Sequence, residues 1–201
     1  MSAGAIPITP RSSAEKPWIL PNRGVVGMYC LILAESAIFI IFVVAYIFYM
    51  GKSLTGPTPS QVLEIPIFAT VCLLSSSITI HVAVAALRKD NRRAFSVWLA
   101  TTVILGAIFL VMTGREWYHL IHDCGLTLQT NLFGTTYYSL VGLHATHVVV
   151  GLIMLSLALG FSLFGLVHQE HSEKLEVLSL YWHFVDAVWV VVFLVVYVLG
   201  R

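Results

Sequence analysis

Of the 201 residues, 58% are hydrophobic and 10% are charged, against about 25% charged and roughly 45–50% apolar in an ordinary soluble domain. That balance suits lipid and excludes an ordinary water-soluble fold. Eleven Lys and Arg against ten Asp and Glu leave a formal net charge of +1, which excludes a nucleic-acid binder working through phosphate contacts.

The opening segment, "MSAGAIPITPRSSAEKPWILPNRG", has prolines and charges but no run of about 7–15 apolar residues of the signal-peptide kind. Residues 1-24 are therefore read as a cytoplasmic arm, and 25-200 as one membrane domain. The first span then acts as its own targeting signal.

A bilayer core about 30 Å thick takes roughly 20 largely apolar residues per helix. Five runs qualify: 25-49, 65-87, 95-113, 134-163 and 177-200. Their length and continuity predict helices, since barrel strands alternate in character over about 10 residues. The expected architecture is an all-α bundle of five transmembrane helices.

The first span carries Glu35 in "CLILAESAIFIIFVVAY", roughly half a membrane deep. A charge there costs about 2.5–3.5 kcal/mol even on the mildest scales, so Glu35 must be neutral, paired or facing protein. A plain hydrogen bond between helices is the structural alternative. Gly51 and "LTGPTPS" close this span, and Pro66 suits the first turn of the second helix.

"RKDNRR" follows the second span as a basic anchor, and Gly114 follows the third. Beyond it, Glu116 in "TGREWYHLIHD" reads as part of a solvated charged loop.

The fourth span holds His144 and His147 at i and i+3, on one helix face. Three readings stand open: haem ligation with a histidine elsewhere, such as His183 or His81; a non-haem metal site; or hydrogen bonding at a helix interface. No Glu-x-x-His pair of the di-iron type accompanies them. The small neighbours Ser139, Gly142, Ala145 and Gly151 let another helix come close and favour the interface.

After "FGLVHQEHSEKLE", the fifth span repeats the i, i+3 spacing with His183 and Asp186. An acid beside an imidazole lowers the cost of burying both, and such residues in spans also serve as proton relays. Trp18, Trp98, Trp117, Trp182 and Trp189, with Tyr29, Tyr46, Tyr49, Tyr118 and Tyr181, fall mostly near span ends, where aromatic anchors sit. Cys30, Cys72 and Cys124 form no Cys-x-x-Cys pair and receive no role.

Lys and Arg set the orientation. With the N-terminus cytoplasmic, that side carries Arg11, Lys16, Arg23, Arg88, Lys89, Arg92, Arg93 and Lys174 against Lys52, Arg115 and Arg201 opposite. This predicts N-in, C-out.

"YWHFVDAVWVVVFLVVYVLG", "FGTTYYSLVGLHATHVVVG" and "LILAESAIFIIFVVAY" resemble helices of subunit III of the haem-copper oxidases, from about Gly24 to Gly200. The Trp182 to Trp189 core is the most specific piece. Ala145, in place of a frequent glycine, and Tyr137 with Tyr138, in place of a more usual Phe pair, depart from the pattern.

The resemblance implies the five-helix bacterial form of a cytochrome c oxidase subunit III. It implies no catalytic centre, haem, copper or metal in this chain, with haem and copper in partner subunits. The implied partners are catalytic subunit I, other oxidase subunits and phospholipid; the place is a bacterial inner membrane, and the role is support of the catalytic subunit and of proton uptake. By motif, Glu35 matches the family's intramembrane glutamate, and His144, His147, His183 and Asp186 match polar residues of the bundle. Glu116 matches an acidic residue in the loop before the fourth helix. Quinol oxidase subunit III and a nitric oxide reductase accessory protein belong to the same resemblance. A stand-alone transporter has little support, because the five spans show no matching broken helices. A haem-binding redox protein would be detected by a Soret band from the isolated chain.

Overall fold

The computed structural model describes residues 23–53 and 56–200. The arm over 1-24, including Arg11, Lys16 and Trp18, lies outside them apart from Arg23 and Gly24, as does Arg201. Among the described residues six α-helices follow in order: α1 Arg23–Tyr49, α2 Pro59–Val62, α3 Ile67–Arg88, α4 Arg92–His122, α5 Leu132–Leu163 and α6 Ser172–Phe193. A 3-10 turn, Gln169–His171, leads into α6, and a π-helical turn, Leu194–Leu199, continues it. Among the described residues there is no strand. Five of these helical segments are long and apolar enough to cross a membrane.

α3 and α4 form the tightest pair, and their three-residue link explains why. Asp90 adopts the left-handed region at φ 54°, which Asp tolerates better than most side chains. Asn91 then caps α4, its side chain accepting from the Ala94 N–H at 3.1 Å. Chain reversal over so few residues forces antiparallel neighbours. Thr79 on α3 and Thr102 on α4 meet at 2.8 Å in the buried seam.

α5 begins on a second Asn cap, where Asn131 accepts from the Gly134 N–H at 2.8 Å. It ends on Gly165 at φ 73°, with the Leu166 N–H bonded to the Phe161 carbonyl and the Gly165 N–H to the Ser162 carbonyl. That paired pattern satisfies the last carbonyls of the helix. α5 packs on α4, α1 and α6; α6 packs on α3, α5 and α1.

The core centres on Trp182, Trp189, Tyr137 and Phe109, all fully or almost fully buried. α1 is the outlier, burying only Phe39 and Tyr46.

Several helix limits differ from the sequence reading. α4 does not stop at Gly114 but runs on to His122, because one helical glycine costs only about 1 kcal/mol and the following turns bury Leu120 and bond Glu116. Pro66 caps α3 instead of sitting in its first turn. α6 starts at Ser172, five residues before 177. The short α2 falls in the turn-rich connection, where the Thr58 N–H donates to Gln61 Oε1 at 3.2 Å. The anchor reading fails for Tyr46, Tyr181, Trp182 and Trp189, which are core residues. Tyr29, Tyr49, Trp98 and Tyr118 are exposed.

Candidate functional site: three intramembrane polar clusters

The first cluster joins α1 to α5. His147 lies 3.1 Å from Glu35 through its Nε2, and its Nδ1 lies 2.8 Å from the Leu143 carbonyl. A carbonyl only accepts, so Nδ1 carries a proton. A neutral His147 then offers Nε2 as an acceptor, and Glu35 is the donor; in the alternative form the proton sits on Nε2 and faces a carboxylate. Either way one proton lies between the two groups. The His147 and Glu35 side chains are 13% and 25% exposed. Phe39 packs against the imidazole at 5.0 Å between centroids, and the Tyr181 hydroxyl donates to the His147 carbonyl at 3.3 Å.

The second cluster joins α6 to α3. His183 and Asp186 share a helix face, but what brings them together is Ser77 on α3, which bonds Asp186 Oδ2 and lies 2.9 Å from His183 Nδ1. Ser179 Oγ stands 3.2 Å from His183 Nε2. Two indoles flank this contact on the same helix pair: Trp182 donates to Ser76 Oγ at 2.8 Å and Trp189 to Thr70 Oγ1 at 3.1 Å. The expected pair is therefore a serine-bridged triad. Asp186 Oδ1 is buried, with no hydrogen-bond partner among the described residues.

The third cluster overturns the placing of Glu116 in a solvated loop. Glu116 lies within α4, and its Oε1 accepts from the hydroxyls of Tyr137 at 3.1 Å and Tyr197 at 2.9 Å. Those hydroxyls lie 3.3 Å apart. This one acid thus ties α4, α5 and the π-helical turn. Neither tyrosine was a candidate on sequence grounds, because their link to Glu116 spans 21 and 81 residues.

His144 stands apart from His147. It is fully buried, stacked on Trp189 at 5.0 Å and edge-on to Phe109 at 5.9 Å. Among the described residues neither ring nitrogen has a hydrogen-bond partner. The two histidines do not converge on a common point: His147 turns to α1 and His144 to α4 and α6. Among the described residues no group of three or more His, Cys, Asp or Glu side chains could hold a metal ion.

In all three clusters polar side chains of one helix bond to side chains of another helix of the same chain. Such an arrangement fixes helix register and can hold or pass protons. Comparison with known sequences then decides the family, because the profile described as "Cytochrome c oxidase subunit III" matches residues 22–201. The chain belongs to the cytochrome c oxidase subunit III family.

Its relatives include cytochrome c oxidase subunit 3 of Alkalihalophilus pseudofirmus, 34% identical and aligned over 94% of this chain and 93% of that protein. The same-named protein of Synechocystis is 36% identical over 89% of this chain and 77% of its own length. A probable quinol oxidase subunit 3 of Staphylococcus saprophyticus is 30% identical over 89% and 90%. A subunit III is an accessory chain of a membrane oxidoreductase complex, and a respiratory role follows from the family. With its five apolar helices, this chain is a multi-pass membrane protein.

Proposed function

We propose that this chain is the non-redox subunit III of a respiratory haem-copper terminal oxidase of the cytochrome c oxidase type. It stabilises catalytic subunit I, holds phospholipid against its apolar faces and supports proton uptake; haem and copper reside in the partner subunits. The observation that carries the reading is the contrast between inside and outside. Polar groups bond between this chain's own helices, while long apolar surfaces stay uncovered, including Leu33, Ile40 and Ile41 on α1 and Val71 and Ile78 on α3.

The same proposal places residues 1-24 as a cytoplasmic arm and 25-200 as a single domain in a bacterial inner membrane. Eight Lys and Arg against three support a cytoplasmic N-terminus and a periplasmic or extracellular C-terminus. Glu35, His144, His147, His183, Asp186 and Glu116 act within the bundle as fastenings and proton-holding groups. Hydrogen bonds between membrane helices average below about 1 kcal/mol each, so packing supplies most of the stability.

Purification of a tagged chain in mild detergent tests the proposal. Haem-copper subunits should come with it and the preparation should oxidise reduced cytochrome c; a monomer recovered alone would overturn it. A second reading is supported by relatives named quinol oxidase subunit 3. The same preparation would then oxidise quinol in place of cytochrome c.

A further inference from the structure

We propose that Asp186 is the inner end of a one-ended proton-exchange site, entered from the Arg88 end of the bundle through a cleft between α1, α3 and α6. The inference deepens the proton-uptake part of the proposed function and rests on that part for its purpose.

The entrance is a cleft of about 280 Å³ lined by Tyr29 of α1, His81 and Arg88 of α3, and Glu176, Ser179 and His183 of α6. That volume takes several waters. Arg88 and Glu176 form an ion pair at its outer end, each about half exposed, so the strongest charges there offset one another. His183 stands seven residues further along α6 than Glu176, about 10 Å deeper at 1.5 Å per residue. The cleft thus carries water-accessible polar groups from the helix ends to the triad.

From His183 inward the hydrogen bonds form a continuous line. Ser179 Oγ, His183 Nε2, His183 Nδ1, Ser77 Oγ and Asp186 Oδ2 follow one another at bonding distances. In the ionised state every proton in this line points towards the carboxylate. Loading is then a concerted shift: Ser77 gives its hydroxyl proton to Asp186 Oδ2 and takes one from His183 Nδ1. His183 is made whole at Nε2 by the Ser179 hydroxyl, and Ser179 by a proton from water in the cleft. The sum is one proton moved from the cleft to Asp186, with the other groups unchanged and His183 in its second tautomer; unloading by the reverse shift returns the proton to the cleft and restores the first.

Inward of Asp186 the line stops. The next turn of α6 presents Trp189, whose indole N–H is already given to Thr70 and whose ring is enclosed by Phe109 and His144. Among the described residues no hydrogen bond leads on from Asp186. The charged and titratable groups facing the line are Tyr29 from α1, His81 and Arg88 from α3, and Glu176 from α6; the Glu35 and His147 pair is bonded separately.

Time-resolved infrared spectroscopy of the full chain in sealed lipid vesicles tests this. The difference between the protein as it stands and Asp186→Asn isolates the Asp186 carboxyl band, with Glu35→Gln as the control that retains it. After a pH step on the Arg88 side, the band should respond before the transmembrane pH gradient decays. After a step on the opposite side it should follow that decay. Ser77→Ala and His183→Phe should slow the prompt response at least tenfold.

A prompt response from the opposite side, a band insensitive to pH on both sides, or unchanged rates in both relay variants would overturn the proposal. If those variants misfold, the side-dependence in the unaltered chain still decides. Failure of the chain to recover oxidase subunits would overturn the proposed function while leaving these spectra as they are.

Discussion

Gly151 on α5 and the indole of Trp182 on α6 are in contact so close that a Cβ on the glycine would stand 2.8 Å from two ring carbons. The same indole also closes on Gly106 of α4, where a Cβ would lie 2.9 Å away. Trp182 cannot retreat, since it is wholly buried and its N–H is given to Ser76 of α3. One side chain thus registers four helices.

Gly151→Ala should destabilise the bundle by about 1–3 kcal/mol, the usual cost of an added carbon in a filled core. Gly160→Ala, on the same helix with open space at its Cβ, should be neutral or stabilising by up to about 1 kcal/mol. Thermal denaturation in detergent compares them. Equal melting temperatures would refute the role given to the Gly151 contact.

Ser76→Ala tests the other end of the indole. It leaves the Trp182 N–H buried and unpaired, with an expected loss of about 1–3 kcal/mol. Tryptophan fluorescence during unfolding should show an earlier transition, and an unchanged curve would mean the N–H finds another acceptor.

For Glu116 the discriminating comparison is Gln against Ala. Gln retains a carbonyl to accept from Tyr137 and Tyr197 and should stay within about 1 kcal/mol. Ala leaves two buried hydroxyls with only each other and should cost about 1–3 kcal/mol, read as detachment of the C-terminal turn by limited proteolysis.

Glu35→Gln should preserve assembly and the initial turnover rate of the complex, because glutamine still bonds His147. Any defect should emerge as shortened endurance during continuous turnover. Loss of the subunit from the purified complex would contradict this.

The spans were legible because crossing a bilayer imposes a length and apolarity that little else imitates. What stayed hidden depended on distant residues. Gly114, Arg115 and Glu116 read locally as a stop, yet the acid is retained in the helix by tyrosines from α5 and the π-helical turn. His183 and Asp186 were correctly placed on one face, but Ser77, their bridge, lies 106 and 109 residues away. His144 and His147 share a face only loosely. Three residues turn a helix to within about 60° of its start, enough to send one ring to α1 and the other to Trp189. Trp182 lies near the start expected at 177, but α6 begins at Ser172 and carries it ten residues in, to the core.

The sparse cover of α1 bears on how the protein is made. Among the described helices α1 is translated first, yet Glu35 meets His147 only after another 112 residues have been added. During that interval the acid enters the membrane without its imidazole. α1 holds the most apolar stretch of the five spans, and its fourteen Leu, Ile, Val and Phe residues contribute about 4–8 kcal/mol towards insertion, against about 3 kcal/mol for one charged side chain. The helix is thus apolar enough to wait in lipid alone until α5 brings His147 to Glu35.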